Sequence, residues 1–190
     1  TAAMVSRGER PSVISALMKY QTTERLRRAV NDAFDIHGGR AICDGPSNYL
    51  QSAYQLVPVG ITVEGANILT RTLITFAQGA LRSHPYLYKE VQAVQDPDSR
   101  AGLNAFDEAF CGHIAFAVSN VAGAFFHNIT LGLFAEAPKD VDGLEPIYKQ
   151  LSRASRNFAL VADLTVALRA GGLKVKEKLT GGLADALSEI

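Results

Sequence analysis

The stretch TVEGANILTR, residues 62–71, places an acidic residue ahead of an apolar helical pattern. Thr62 is a favourable helix-capping residue, so the pattern predicts that Glu64 lies in the first helical turn. Upstream, the segment VPVGI at residues 57–61 is broken by proline and glycine, which predicts an approach segment to this helix. Downstream, apolar residues recur at three- and four-residue spacing and predict one buried helix face: Ile68, Leu69, Leu73, Phe76, Ala77, Ala80 and Leu81.

The predicted position of Glu64 exposes its carboxylate to two opposing effects. A helix N-terminus stabilises the charged form by roughly 0.3–1 kcal/mol, whereas burial among Val57, Ile61 and Val63 favours the neutral form. If desolvation is the larger effect, the carboxylate becomes a better proton acceptor and can serve as a general base. The alternative is an ordinary first-turn glutamate that complements the helix dipole.

The composition limits the class of protein and the kind of partner. Apolar residues make up 47% of the 190 residues, which is enough for a substantial core, and the formal net charge is zero. Without a basic surplus, the sequence indicates no nucleic-acid partner. The two cysteines, Cys43 and Cys111, form no C-x-x-C motif and predict a reducing compartment without a disulfide framework or zinc site.

Neither a signal peptide nor a membrane span is predicted. No run reaches the ~18 uninterrupted apolar residues that a span needs, because polar residues interrupt the nearest candidate, residues 110–133. Peripheral membrane contact remains open. The sequence opens without Met and ends in a helical pattern, so we expect both ends to be cut from a longer polypeptide.

The remaining patterns predict an all-α fold. One helix is expected from Ser12 to about Ile36, ended by glycine after His37. Further helices are expected at residues 48–56, 86–94, 100–135, 145–170 (stopped by Gly171 and Gly172) and from Lys174 onward. The polar turn formers at residues 96–99 predict a boundary between domains at 1–95 and 96–190. His113 and His127 are expected to be packed polar residues, and no metal site is expected.

Two further stretches accompany residues 62–71: PSVISALMKYQTTER at residues 11–25 and AFDIHGGR at residues 33–40. Together the three stretches resemble the C-terminal helical part of acyl-CoA dehydrogenases. The resemblance is to the large bacterial fatty-acid β-oxidation type, in which the helical bundle is followed by an additional helical C-terminal region. It runs through these motifs over residues 1–95 and more loosely over residues 96–190.

The resemblance implies FAD-dependent α,β-dehydrogenation of fatty acyl-CoA to trans-2-enoyl-CoA. Glu64 would be the catalytic base, and its backbone N–H would help to polarise the thioester carbonyl. Gly38 and Gly39 would approach the adenosine and pyrophosphate end of FAD from a neighbouring subunit, with Asp35 and Gly65 as further cofactor contacts. The sequence departs from the family pattern in three places: Asp35 stands where many members have glutamine, Arg40 and Ala41 follow the glycine pair where many members have Asn-Gly, and Ala66 replaces a residue that often has a hydroxyl group.

The resemblance also implies partners. These are an electron-transfer flavoprotein as acceptor, a second copy in a homodimer, and the N-terminal helical and β-domains of the parent chain. Since no β-rich segment is present, we expect the isolated chain to bind FAD poorly and to be inactive. A cytoplasmic location is expected, with contact to the bacterial inner membrane left open. The alternative function is a non-catalytic helical module, in which residues 96–190 serve oligomerisation or peripheral membrane docking.

Overall fold

The computed structural model describes residues 1–76, 78–169, 172–173 and 175–190, and these residues form helices and turns without a strand. This confirms the predicted all-α class. The predicted inward position of Ala77, the helix stop at Gly171 and the helix start at Lys174 lie outside the described residues. The helices are α1 (Ala2–Ser6), α2 (Ser12–His37), α3 (Gly39–Ile42), α4 (Leu50–Thr62), α5 (Asn67–Leu69), a π-helix (Thr70–Gln78), α6 (Gly79–Ser83), α7 (Leu87–Val94), α8 (Ser99–Ile129), α9 (Glu145–Arg169), a 3-10 helix (Ala170–Val175) and α10 (Glu177–Glu189).

The chain divides into two compact units, Thr1–Phe76 and Ala77–Ile190. In the first unit, α4 packs along α2. In the second unit, α8 packs against α7 at one part of its length and against α9 at another, while α10 contacts the 3-10 helix. The boundary predicted between residues 95 and 96 is a different division of the chain and stays a prediction.

Helix α2 begins and ends close to where its sequence predicts. It runs from Ser12 to His37, and Gly38 follows with a positive φ of 55°. A positive φ ends a helix with little strain only at glycine, which has no Cβ to clash. The end of α2 is therefore a local property of the sequence.

Helix α4 is longer than predicted, because it continues through Pro58 and Gly60 to Thr62. Pro58 has no N–H to donate to the carbonyl of Tyr54, so α4 lacks one backbone hydrogen bond at this turn. A Cβ on Gly60 would lie 3.6 Å from Cγ2 of Thr23 on α2, so the two helices approach closely here. The predicted approach segment is therefore the last turn of a helix.

The predicted buried face of the helix after Glu64 is partly wrong. Phe76 is buried, but Ile68, Leu69 and Leu81 are exposed. The buried residues from Asn67 to Thr75 are all polar: Asn67, Thr70, Thr72 and Thr75. Residues 70–78 form a π-helix, whose wider turn shifts each side chain away from its α-helical position. The helical stretch ends at Ser83, before His84 and Pro85, because the residue that precedes a proline is biased away from the α-helical conformation.

Helix α8 starts at a side-chain cap and ends earlier than predicted. The Asp98 Oδ1 atom accepts hydrogen bonds from the backbone N–H groups of Arg100 (2.9 Å) and Ala101 (3.3 Å). The helix ends at Ile129 rather than near Ala135, and two residues with positive φ follow it, Leu131 (52°) and Gly132 (78°). By length and composition α8 could cross a membrane, with a mean hydropathy of 1.5 over its most apolar window.

The last helices differ in detail from the predicted ones. Three large apolar residues of α9 are exposed: Val161, Leu164 and Leu168. Helix α10 begins at Glu177 and is continuous through Gly181 and Gly182.

Candidate functional site

Glu64 lies in the short connection between α4 and α5, not in a helical turn. Thr62 is the last residue of α4, and its hydroxyl donates to the carbonyl of Pro58 at 2.9 Å instead of capping a following helix. Glu64 and Gly65 both have positive φ, 54° and 90°. Two successive positive φ values cannot belong to a right-handed helix, so the helix begins only at Asn67. The predicted first-turn position of Glu64 and its helix-dipole stabilisation are therefore wrong.

The backbone at Glu64 is held in an unfavourable conformation. A positive φ costs a non-glycine residue on the order of 1 kcal/mol and persists only where the surrounding structure enforces it. Gly65 adopts its positive φ at little cost, and a Cβ there would lie 3.7 Å from Oγ1 of Thr70. The strain is therefore concentrated at the one acidic residue of this connection.

A lysine of α2 enforces this conformation. Lys19 Nζ donates to the carbonyl oxygen of Gly65 at 2.8 Å and to Oδ1 of Asn67 at 2.8 Å, with a longer contact of 3.4 Å to the carbonyl of Ile61. The three acceptors come from the end of α4, from the connection and from the start of α5. One ammonium group therefore fixes both sides of Glu64 to α2.

The buried side chain of Asn67 completes this attachment. Its Nδ2 donates to Oγ1 of Thr23 and to Oε1 of Glu24, each at 2.9 Å. Thr23 in turn donates to the carbonyl of Lys19 at 2.8 Å. The sequence analysis missed this network, although Lys19 is the only lysine in residues 1–76. No local pattern marks it, because its partners lie more than 40 residues away.

The expected burial of Glu64 is absent in the described part of the chain. Its side chain is exposed, and so is that of Val63, at 46%. Ile68 and Leu69 are also exposed, at 59% and 43%. An exposed carboxylate among exposed apolar side chains can become a desolvated base only when a further protein segment or a ligand covers this surface.

Gly38 and Gly39 lie at the C-terminal end of α2 and are exposed. A Cβ at either position would have no heavy atom of the described residues within 4 Å, so both backbones are open to a group that approaches from outside. Asp35 is also exposed. His37 supports the turn, since its Nδ1 contacts the carbonyl of Ala33 at 2.8 Å and its Nε2 contacts the hydroxyl of Tyr49 at 2.7 Å.

The glycine turn and the Glu64 connection are far apart on α2. Lys19 holds the connection, and Gly38 lies 19 residues further along, which is about 28 Å of helix at 1.5 Å per residue. The structure therefore does not bring Gly38 and Gly39 together with Glu64 and Gly65.

The second unit contains a cluster of histidines and carboxylates. His84 Nδ1 accepts hydrogen bonds from the backbone N–H groups of Tyr86 (3.2 Å) and Leu87 (3.1 Å), which caps the start of α7. Its Nε2 must then bear the proton, which it donates to Asp163 Oδ1 at 3.1 Å. Asp163 also accepts from Asn120 at 3.0 Å. Burial lowers the pKa of His84, and the neighbouring Asp163 carboxylate only partly offsets this effect.

Donor atoms of His84, His113 and Asp163 lie within 4.8 Å of one another, a spacing that is compatible with a metal ion. Both nitrogens of His84 are already committed, one as an acceptor from backbone N–H groups and one as a donor to Asp163. A metal at Nδ1 would take the lone pair that accepts from the backbone, and a metal at Nε2 would require the proton to move to Nδ1; either change would break the cap of α7. His113 Nδ1 pairs with Glu90 Oε1 at 2.7 Å. The geometry therefore fits a packed polar network better than a metal centre.

Comparison with known proteins gives two family matches. The family described as "Acyl-CoA dehydrogenase, C-terminal domain" matches residues 1–78. The family described as "Acyl-CoA dehydrogenase, C-terminal, bacterial type" matches residues 81–190, more than half of the chain. The two matched ranges meet close to the division between the compact units at Phe76 and Ala77. No solved structure matches this chain.

Proposed function

Since this chain belongs to the acyl-CoA dehydrogenase family, we propose that it supplies the catalytic base of an FAD-dependent dehydrogenase, and that Glu64 is this base. The observation that supports the proposal is the Lys19 attachment, which holds Glu64 at a positive φ in a defined position. A strained residue that the surrounding structure enforces is typical of a functional site. The substrate would be a fatty acyl-CoA, and the product a trans-2-enoyl-CoA.

Glu64 would remove the proton from the α-carbon of the thioester. FAD, when bound, supplies the acceptor for the hydride that leaves the β-carbon. The backbone N–H of Glu64 would donate to the thioester carbonyl and stabilise the negative charge that develops there. Because Lys19 donates to the carbonyl of Gly65, it fixes the Gly65–Ala66 peptide, which begins one residue beyond Glu64.

The exposed apolar side chains beside Glu64 account for its desolvation in the complete enzyme. A solvated carboxylate is a poor base for a carbon acid, so the site must exclude water. Val63, Ile68 and Leu69 present apolar surface next to the carboxylate. We propose that the β-domain of the parent chain and the bound acyl group cover this surface and desolvate Glu64.

Gly38 and Gly39 would contact the FAD of a second subunit. The separation of about 28 Å along α2 argues against a contact with the reacting end of the same flavin. Exposed glycine backbone allows close approach of the pyrophosphate, whereas the nearby carboxylate of Asp35 would repel phosphate and suits a ribose hydroxyl. This arrangement requires a homodimer. The reduced flavin would pass its electrons to an electron-transfer flavoprotein in the cytoplasm.

The decisive experiment is Glu64→Gln in the full-length parent enzyme. General-base catalysis contributes about 10²–10⁴-fold, so we expect dehydrogenation to fall by about three orders of magnitude while FAD stays bound. Glu9→Gln is the matched control, because Glu9 is an exposed glutamate of the same unit. Turnover of Glu64→Gln within a few-fold of the Glu9→Gln variant would remove Glu64 from the base role.

A second candidate function is a non-catalytic module for oligomerisation or peripheral membrane docking. Helix α8 favours it, because only 17% of its most apolar window is buried. Flotation with liposomes distinguishes membrane docking from oligomerisation. Co-flotation of the chain supports docking at the inner membrane, and its absence supports assembly.

A further inference from the structure

Helix α8 presents an exposed apolar seam with heptad spacing. The seam consists of residues that follow one another at intervals of four, three, four, three and four: Cys111, Ala115, Val118, Ala122, Phe125 and Ile129. All six are exposed, and the largest are exposed to 62% (Val118), 68% (Phe125) and 66% (Ile129). Alternating intervals of three and four keep a seam on one face of a helix that pairs with another helix.

The charge pattern around the seam favours a second copy of this chain over the surface of an anionic membrane. Residues 109–135 include no Asp, Glu, Lys or Arg. An interfacial membrane helix usually has Lys and Arg along its polar face, which attract anionic lipids. The seam has no such cations, and two identical seams can meet without like-charge repulsion.

The order of large and small residues makes the seam complementary to itself. When two copies of α8 run antiparallel about a two-fold axis at the level of Asn120, each residue faces the one at the mirrored position. Val118 then faces Ala122, Phe125 faces Ala115, and Ile129 faces Cys111. A single axis places a larger side chain opposite a smaller one in every pair, which is the fit that a close helix pair needs.

We propose that two copies of this chain pair through their α8 seams in an antiparallel, two-fold symmetric contact. The paired segment spans about 27 Å along the helix. The large side chains on and beside the seam are 46–68% exposed: Phe110, Ile114, Val118, Val121, Phe125 and Ile129. Together they offer about 600 Å² of apolar surface per copy, close to the ~800 Å² per partner of a standard stable interface.

The centre of the proposed pair is a shallow apolar groove on α8, and the contact is independent of the chemistry at Glu64. The groove is lined by Ala117, Val118, Val121, Ala122 and Phe125. The small Ala122 forms the low point into which Val118 of the second copy packs.

Sedimentation velocity on the full chain tests the interface. We expect a dimer for the unmodified chain and at least a 100-fold higher dissociation constant for Phe125→Glu. Ile147→Glu is the matched control, since Ile147 is 64% exposed and lies on α9 rather than on α8; this variant should dimerise normally. Equal dimerisation of Phe125→Glu and Ile147→Glu, or a folded chain that stays monomeric at high micromolar concentration, would overturn the proposal.

Disulfide trapping tests the direction and register with a milder change. In a Cys43→Ser background, Ile129→Cys places a thiol opposite Cys111 of the second copy. We expect an added oxidant to give a covalent dimer for this variant, and none for Cys43→Ser alone or with Ile147→Cys. A covalent dimer through Cys111 alone would indicate a parallel pair and overturn the antiparallel register. Liposome binding that depends on Phe125 in a monomeric chain would identify a membrane as the occupant instead.

Discussion

Replacing Lys19 by methionine removes the ammonium group that ties the Glu64 connection to α2, while it keeps a side chain of similar length. The loss involves two short charge-assisted hydrogen bonds, to the carbonyl of Gly65 and to Oδ1 of Asn67, both at 2.8 Å. Hydrogen bonds to charged groups contribute about 1.5–3 kcal/mol each. Because Lys19 is only partly buried and Asn67 keeps its bonds to Thr23 and Glu24, we expect a local destabilisation of about 2–3 kcal/mol.

Native-state hydrogen exchange measures this local change. The amides that report on the connection include Thr70, whose N–H donates to the carbonyl of Ala66 at 2.9 Å. A change of about 2–3 kcal/mol corresponds to roughly 30- to 150-fold faster exchange. We expect this acceleration over residues 61–70, with unchanged protection in α8.

Arg28→Met is the matched control, because it also removes one positive charge from α2, at an exposed position. It should leave exchange at residues 61–70 unchanged. If the Lys19→Met and Arg28→Met variants exchange at the same rate there, the ammonium does not hold the connection, and the positive φ of Glu64 must have another cause.

Two further predictions concern the second unit. Gly112→Ala should lower Tm by roughly 5 °C, because the added Cβ would overlap with Cε1 of Tyr86 and overpacking costs about 1–3 kcal/mol. Gly182→Ala is the control: its added Cβ would have no heavy atom within 4 Å, so this variant should not lower Tm. The pKa of His84 in the folded chain is lowered from its ordinary value of 6.5, so protonation favours the unfolded chain. The contribution of His84 to the free energy of unfolding is therefore complete above pH 6.5. It is lost as the pH falls from 6.5 toward the folded-state pKa. Urea unfolding should show that the free energy of unfolding falls between pH 7.5 and 5, and His84→Gln should make this dependence on pH weaker. An equal dependence on pH in both proteins would contradict the attribution of the loss to His84. Glu90, His113 and Asp163 face the same imidazole and contribute to its titration.

The sequence analysis was reliable where one local rule decides the outcome. The end of α2 follows from glycine at a positive φ, and the end of the helical stretch at Ser83 follows from the His84–Pro85 pair. The family resemblance, based on three short motifs, agrees with both family matches. These features depend on neighbouring residues, so they can be recognised without knowledge of the packing.

The analysis failed where distant residues compete with a local preference. Pro58 and Gly60 are usual helix breakers, yet α4 contains both, because its packing against α2 stabilises the helix there. Ile68 and Leu69 match a buried α-helical face, but the π-helix after them places threonines inside instead. For Pro58 and Gly60, the packing of α4 on α2 outweighs a helix-propensity cost of about 1–3 kcal/mol.

The amino-acid sequence alone determined the helical class, most helix positions and the family, because apolar periodicity, capping residues and short motifs act over a few neighbouring residues. Only the tertiary structure decided how Glu64 is presented. Its positive φ, its exposure and its attachment to Lys19 arise from contacts between segments more than 40 residues apart. Such contacts form only when α2 and α4 pack together, so no local pattern of residues encodes them.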